Sequence, residues 1–422
     1  MKSCHKVNAM RFVILPALNT RRISGLLAAQ EIRAELIDTP SESPAQAGVQ
    51  FFCFLMRRFV IFCYSLLLFA FPAHAETNRY ANLSAEQAIQ EIMRNSTGTV
   101  RVPNATLYVF DGATDKQIYH FSAGDAPSSQ PIHIEAATLW ISTAVILQLV
   151  EQKFLSLDDT TSKYLKDENG AMWSGNRGEI TLRQLLTHTS GLYRDAGCLN
   201  YGAITLEQCS LKIYKDNKRD DWVKPSTTFD YGGTHLQIAA RMAEVATQKS
   251  WNQLFNETIK QSLGFTLSAR YTNGQDTAPT NNPSIAAGLW LALEDYFRFM
   301  RWINHKTVVE DKTVIGDSLF TQMEQNQIGT RTVEWSPFKG YTPVTHRYGF
   351  GTWVECVDKD CSTHRTSNLG LYGFYPWIDR KKNYYAVMVM RSKKASAKES
   401  AALVEAIRPY IEKRVEEWRM MQ

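Results

Sequence analysis

The sequence predicts an α+β fold: one antiparallel sheet built from both ends of the chain, flanked by terminal helices, with a mostly helical region alongside. Three observations predict it. β-rich runs occur at 105–111 and 117–123, and again at 348–355, 371–378 and 384–390. The block between them, about 135–300, reads as mostly helical. Within it, the stretch from Glu135 to about Lys153 is apolar nearly all round through Leu139-Trp140-Ile141 and 144–147. A helix apolar on every side is buried, not surface-lying.

The remaining elements follow in order. Ser84-Ala85-Glu86-Gln87 has the capping-box pattern, which opens a helix to about Arg94. Asp111-Gly112 lies between the first two β-rich runs and predicts a hairpin. Thr181-Leu182-Arg183-Gln184 is a second capping-box start. A long amphipathic helix, about 395–418, closes the chain and is expected to be interrupted or kinked at Pro409.

The chain has 422 residues, 44% of them hydrophobic and 21% charged, as in soluble globular proteins. Its formal charge of +5 is concentrated in the first 75 residues; the rest carries 39 Lys+Arg against 38 Asp+Glu. A nearly neutral body without a basic run excludes nucleic acid as the expected partner.

Residues 56–75 read as a secretory signal peptide. Arg57 and Arg58 precede an apolar run at 59–71, and Ala73-His74-Ala75 is a small-x-small cleavage site. The run is too short to span a bilayer. Met56 is the expected start, 1–55 a mis-called extension, and 76–422 the mature domain, periplasmic or secreted. Cys198, Cys209, Cys356 and Cys361 remain after cleavage, an even number in an oxidising compartment. Short loop closure favours Cys198–Cys209 and Cys356–Cys361 among three possible pairings. The nine histidines are scattered, and no metal site or cofactor is expected.

Several segments together resemble the serine β-lactamase-related family, which includes class C β-lactamases, D-alanyl-D-alanine peptidases and esterases. Residues 136–159 look like its nucleophile helix. Residues 182–192, LRQLLTHTSGL, match a distinctive segment. Phe229-Asp230-Tyr231-Gly232-Gly233 matches the tyrosine box. Residues 282–288 with Glu294-Asp295-Tyr296, and 369–379, resemble two later segments. The resemblance implies a β-lactamase/transpeptidase-like fold and acyl transfer. In that chemistry a serine attacks a carbonyl, a lysine one helical turn later assists its deprotonation, and a tyrosine shuttles the proton. Two backbone N–H groups hold the oxyanion.

The chemistry-bearing positions depart from that pattern. Ala136 stands at the nucleophile position and Leu139 at the lysine position. Tyr231 is retained, but Gly233 stands where many relatives have asparagine. The substrate-recognising strand triplet reads Asn368-Leu369-Gly370, with no cation or hydroxyl. The N–H groups of Ala136 and Leu371 are backbone donors that do not depend on side chains. His188 and Ser190 read as structural members of their segment. Ser336-Pro337-Phe338-Lys339 is the mature chain's one Ser-x-x-Lys match, in a loop-like segment.

The expectation is therefore an exported pseudoenzyme that binds a cell-envelope peptide or small-molecule ligand, without nucleic acid or a stable membrane span. The alternatives are an active esterase, amidase or peptidase with an unrecognised nucleophile, and a structural domain with no ligand.

Overall fold

The computed structural model describes residues 80–127, 129–274, 278–306, 314–339, 344–358, 361 and 364–422. The expected extension and signal peptide lie outside the described residues.

Ser84 caps helix α1 (Ala85–Ser96) by the predicted reciprocal pair: its hydroxyl accepts from the Gln87 N–H, and the Gln87 side chain accepts from its own N–H. Strands β1 (Ala105–Asp111) and β2 (Gln117–Ala123) form the predicted antiparallel hairpin. The Asp111 carboxylate holds its turn by accepting from the N–H groups of Ala113 and Thr114. A short β3 (Ile132–His133) then leads into helix α2 (Thr138–Glu151). Every residue of α2 from Thr138 to Leu149 is buried, as its all-round apolar pattern requires.

The helical region begins with α3 (Leu182–Leu186), whose capping box uses Thr181 and Gln184. Strand β4 (Thr228–Asp230) leads through Tyr231 to α4 (Thr234–Thr247), which packs on α2 and α3. Strands β5 (Arg270–Tyr271) and β6 (Leu289–Leu291) join β3 in a small sheet ordered β3-β6-β5. Strand β7 (Thr332–Trp335) pairs in parallel with β4.

The chain then returns to the main sheet through β8 (Thr345–Tyr348), β9 (Trp353–Cys356), β10 (His364–Ser367), β11 (Tyr375–Asp379) and β12 (Tyr384–Val389). Its order is β2-β1-β12-β11-β10-β9-β8, with every pairing antiparallel. The closing helix α5 (Ala397–Met420) lies beside α1 and against β12. Strands from both ends of the chain therefore share one sheet under the terminal helices. The mix of helix and strand is that of an α+β fold.

Three sequence expectations are corrected. The run 348–355 is two strands, not one, because Gly349 to Thr352 reverse the chain between β8 and β9. Gly351 has φ +63°, and a Cβ there would collide with the Thr143 hydroxyl on α2. The run 371–378 becomes a strand only at Tyr375; residues 368–374 form the reversal after β10, so the Asn368-Leu369-Gly370 triplet follows the strand and does not lie on it. Finally, α5 passes through Pro409 as one element, without an interruption.

Both expected cysteine pairs are bonded. Their Cα–Cα separations are 5.4 Å for Cys198–Cys209 and 4.5 Å for Cys356–Cys361. Among the described residues no helix is long and apolar enough to cross a membrane.

Candidate functional site

Strand β3 feeds a single 3-10 turn, Glu135–Ala137, which starts α2. Glu135 takes φ +52°, a left-handed conformation that costs a non-glycine residue roughly 1–3 kcal/mol. Its surroundings hold it there. Its carboxylate lies 3.1 Å from His133 Nδ1, and His133 Nε2 lies 2.5 Å from the Ala287 carbonyl oxygen. The imidazole also stacks on Trp290, with centroids 5.1 Å apart. Both ring nitrogens of His133 thus face oxygen atoms.

Ala136 follows at this turn, partly exposed, whereas Leu139 is enclosed in the helix. The turn after β10 closes against the same place. A Cβ at Gly370 would lie 2.6 Å from the Ile134 carbonyl oxygen and 3.1 Å from Glu135 Cβ, so glycine is what allows this approach. Gly370 and half-exposed Leu371 are thereby brought to the start of α2. Among the described residues, neither the Ala136 N–H nor the Leu371 N–H donates to a protein acceptor. The other triplet members serve packing. Asn368 is buried; its N–H donates to Pro376 O at 3.1 Å and its Nδ2 to Gly351 O at 2.8 Å, which ties the two sheet reversals together. Leu369 is buried in the apolar core.

Tyr231 stands between β4 and α4 in a box of rings. The centroids of His188, Trp353, Tyr348 and Trp335 lie 4.9, 5.0, 5.9 and 6.0 Å from its own. Its hydroxyl is buried, and its proton has no acceptor among the described residues. Burial pushes its pKa up, the Trp353 indole N–H beside the oxygen opposes this, and the carboxylates of Asp195 and Glu135 push it up further. Glu135 is therefore close enough for its charge to act on Tyr231, which relates the tyrosine to the helix-start turn. Gly233 donates its N–H to Asp195 Oδ1 at 3.0 Å. Arg194 lies 3.8 Å from Asp195 and 3.5 Å from Asp230, with its guanidinium 5.4 Å from the Trp335 ring centroid.

His188 and Ser190 belong to a sealed network beneath this box. The Gly232 N–H donates to His188 Nδ1 at 3.2 Å, so the proton of the neutral ring sits on Nε2, 3.1 Å from the Tyr348 hydroxyl. Burial holds the His188 pKa well below the usual histidine range, and the neighbouring His235 adds to this. Ser190 Oγ lies 2.8 Å from His235 Nδ1, and His235 Nε2 donates to the Asp230 carbonyl oxygen at 2.7 Å. This has the local geometry of a nucleophile–base pair. However, both side chains are fully buried, and Ser190 Oγ also accepts from the Leu192 N–H. The network fastens a turn.

Glu135, Asp195 and Trp335 were not singled out from the sequence. A charged residue directly before an alanine pair at a buried helix start was the available signal for Glu135. Nothing local marks Asp195 or Trp335, which reach the site through loop packing and the β4–β7 pairing. Among the described residues no group of three or more His, Cys, Asp or Glu is placed to hold a metal ion.

The Beta-lactamase family model matches residues 140–407, well over half of the chain. This chain belongs to the β-lactamase family. The matched span begins one residue after Leu139, so Ala136 and Leu139 lie just outside it. A candidate β-lactamase of Bacteroides dorei is similar in structure, with TM-score 0.64 and 27% identity over 77% of this chain and 97% of that one. Simvastatin synthase of Aspergillus terreus, as an engineered variant, gives TM-score 0.59 at 16% identity over 79% and 98%. The octameric penicillin-binding protein homologue of Pyrococcus abyssi gives 0.54 at 19% over 76% of each chain. In sequence, the monacolin J acid methylbutanoyltransferase of Aspergillus terreus is 31% identical over 156 residues, which span 32% of this chain and 37% of that relative. The fold is accordingly that of β-lactamase-family hydrolases and acyltransferases.

Proposed function

We propose that this protein is an exported pseudoenzyme of the β-lactamase family: it keeps the cleft but performs no serine-based acyl transfer, and it uses the cleft to bind an envelope peptide or a small molecule. The observation that carries this reading is the Tyr231 hydroxyl, buried with no acceptor for its proton, in a site where Ala136 stands at the nucleophile position and Leu139 at the lysine position. A phenol with no acceptor for its proton and no neighbouring ammonium cannot relay a proton between groups that are absent. Loss of a catalytic serine costs about 10⁶ in turnover, and surviving oxyanion donors leave only roughly 10³ over water. The N–H groups of Ala136 and Leu371 have no competing protein acceptor, which favours retention of a site for a carbonyl or carboxylate oxygen.

Export is supported by the signal-type segment at 56–75 and by two disulfides, which persist in oxidising compartments. N-terminal sequencing of the secreted protein is expected to begin near Glu76.

The purified protein is expected to remain unlabelled by a fluorophosphonate and by a fluorescent penicillin; covalent labelling at any serine overturns the proposal. The double substitution Ala136→Ser with Leu139→Lys is expected to restore labelling, because the cleft frame is retained. Failure to label in a double variant that folds would mean that the cleft has closed.

A further inference from the structure

We infer that His188 is the positioning residue of Tyr231 and an acid-sensitive clasp: its neutral ring holds the tyrosine-bearing turn, and a second proton on that ring releases the turn while the main sheet stays folded. The inference concerns how the site is held and does not depend on what the cleft binds.

The turn from Asp230 to Gly233 offers four backbone N–H groups, and His188 takes two of them. Asp230 N–H donates to the His188 carbonyl oxygen at 3.0 Å, and Gly232 N–H donates to His188 Nδ1 at 3.2 Å. The Tyr231 N–H between them goes to Trp335 O at 3.2 Å, and the Gly233 N–H goes to Asp195 Oδ1 at 3.0 Å. His188 thus grips the chain on both sides of Tyr231, with the two ring centroids 4.9 Å apart. It does so from φ +54°, a left-handed conformation uncommon for a residue with a side chain. Such an outlier persists where surrounding contacts over-determine it, and switch regions are among the places where it is found.

The clasp works in one protonation state. A backbone N–H can only donate, so Nδ1 presents its lone pair to Gly232 and the ring proton sits on Nε2, facing the Tyr348 hydroxyl at 3.1 Å. A second proton would sit on Nδ1 and point at the Gly232 N–H. That bond is then lost, and two donors oppose each other. The ring is fully buried, so the new charge is also costly. Packed on it are Phe229 of β4, Tyr231 of the turn, Tyr348 of β8 and His235 of α4, with centroids 6.1, 4.9, 4.9 and 4.8 Å away; none of these is a carboxylate. The acidic side chain of the turn, Asp230, lies against Arg194 at 3.5 Å. Burial, and then His235, accordingly hold the His188 pKa well below 6.5. Clasped, the ring stays neutral; released into water, it titrates near 6.5. The clasp is therefore at full strength above pH 6.5 and weakens as pH falls below it.

Release can be local. Strand β4 belongs to a two-stranded sheet with β7, in which Thr332, Glu334 and Trp335 are exposed. Two paired strands are marginally stable by themselves. Strand β12 lies between β1 and β11 in the seven-stranded sheet and is buried along its whole length. Once His188 lets go, less holds the turn than holds the main sheet.

The test is amide hydrogen exchange of the full chain from pH 7.5 to 4.5, read by mass spectrometry over 229–233 and over β12 and corrected for the pH dependence of exchange itself. Below pH 6.5, protection at 229–233 is expected to fall at least about tenfold per pH unit, the effect of one proton, while β12 stays protected. In His188→Asn this fall should be shallower by about tenfold per pH unit. Asparagine tolerates the left-handed conformation, and its Oδ1 can accept from Gly232 without titrating. The wild-type comparison of 229–233 with β12 needs no variant, and His235→Gln, which keeps His188, should retain at least the tenfold fall. Protection at 229–233 that does not change with pH, that is lost only together with β12, or that falls as steeply in a folded His188→Asn would each overturn the inference. Those failures leave the pseudoenzyme reading intact. Serine labelling by a fluorophosphonate overturns that reading and leaves the exchange result standing.

Discussion

Two regions beside the central helix treat their polar groups in opposite ways. Around His188, the side chains of Thr187, Thr189, Ser190, His188 and His235 are all buried, and each is hydrogen-bonded. At the candidate cleft, Ala136, Leu139 and Leu369 are apolar, and the Tyr231 hydroxyl has no acceptor for its proton among the described residues. A third buried polar site is intermediate: Glu355 lies 3.2 Å from Arg408 Nη2 and accepts from the Tyr375 hydroxyl at 2.6 Å, while Arg408 Nε and Nη1 have no hydrogen-bond partner among the described residues. The difference teaches what each group was for. Removing one member of a satisfied buried network strands its partners, so such networks resist loss. Side chains that serve transient proton transfers strand little when they are absent, and on the pseudoenzyme reading proposed above Tyr231 is the group that remains.

Glu355→Gln should have the largest effect. It breaks the buried ion pair and leaves Arg408 with the partly exposed Glu405 carboxylate, 3.0 Å away, as its remaining counter-charge, a loss of about 3 kcal/mol in urea unfolding. Burial by itself would raise the Glu355 pKa, but Arg408, with His346 and Arg365, holds it at about 2 against an ordinary 4.5. Its contribution is therefore present above pH 4.5 and is lost as pH falls from there towards 2. The substitution should flatten that part of the stability–pH curve; an unchanged curve would remove Glu355 from the account.

His235 sharpens the comparison from the other direction. Burial lowers its pKa from 6.5 to about 4, with the bond to Asp230 O only partly opposing this. The folded state keeps the ring neutral while the unfolded chain takes up a proton. Stability should be full above pH 6.5 and fall by on the order of 3 kcal/mol as pH drops through about 4. His188, shifted the same way, adds to the slope. Denaturation of His235→Gln across this window should show a shallower dependence, and a slope equal to wild type would contradict the buried neutral assignment.

The Cys198–Cys209 bond closes a loop of 11 residues in sequence separation beside Gly233. The double alanine substitution should cost about 2–3 kcal/mol by thermal unfolding. The smallest effect is expected at the cleft itself. Tyr231→Phe removes a hydroxyl whose proton has no acceptor and whose one polar neighbour among the described residues is the Trp353 indole N–H, and it should change stability by less than about 1 kcal/mol. A larger loss would mean that the phenol finds an acceptor in solution, and the contrast between the two regions would weaken.

Much of the frame was legible because its signals are local. The capping boxes at Ser84 and Thr181 depend on residues three apart, and β1 and β2 keep their predicted bounds. The burial of α2 was legible in its all-round apolar pattern. Strand β10 was not, because His364-Arg365-Thr366-Ser367 is polar; it becomes a strand by pairing with β9 and β11, and Arg365 finds Asp379 across the sheet at 3.2 Å. The reversal between β8 and β9 was hidden for a related reason: it depends on how closely Gly351 approaches α2.

The sequence by itself determined the fold class, the disulfide pairs expected from short loops, and the apolar identity of Ala136 and Leu139. These follow from residue identity and short-range spacing. Tertiary structure alone decided that Gly370 meets the helix start, that Glu135 in its left-handed turn faces His133, and that the Tyr231 hydroxyl is enclosed with no acceptor for its proton among the described residues. Each joins segments far apart in the chain, and such contacts arise from packing, which no local pattern encodes.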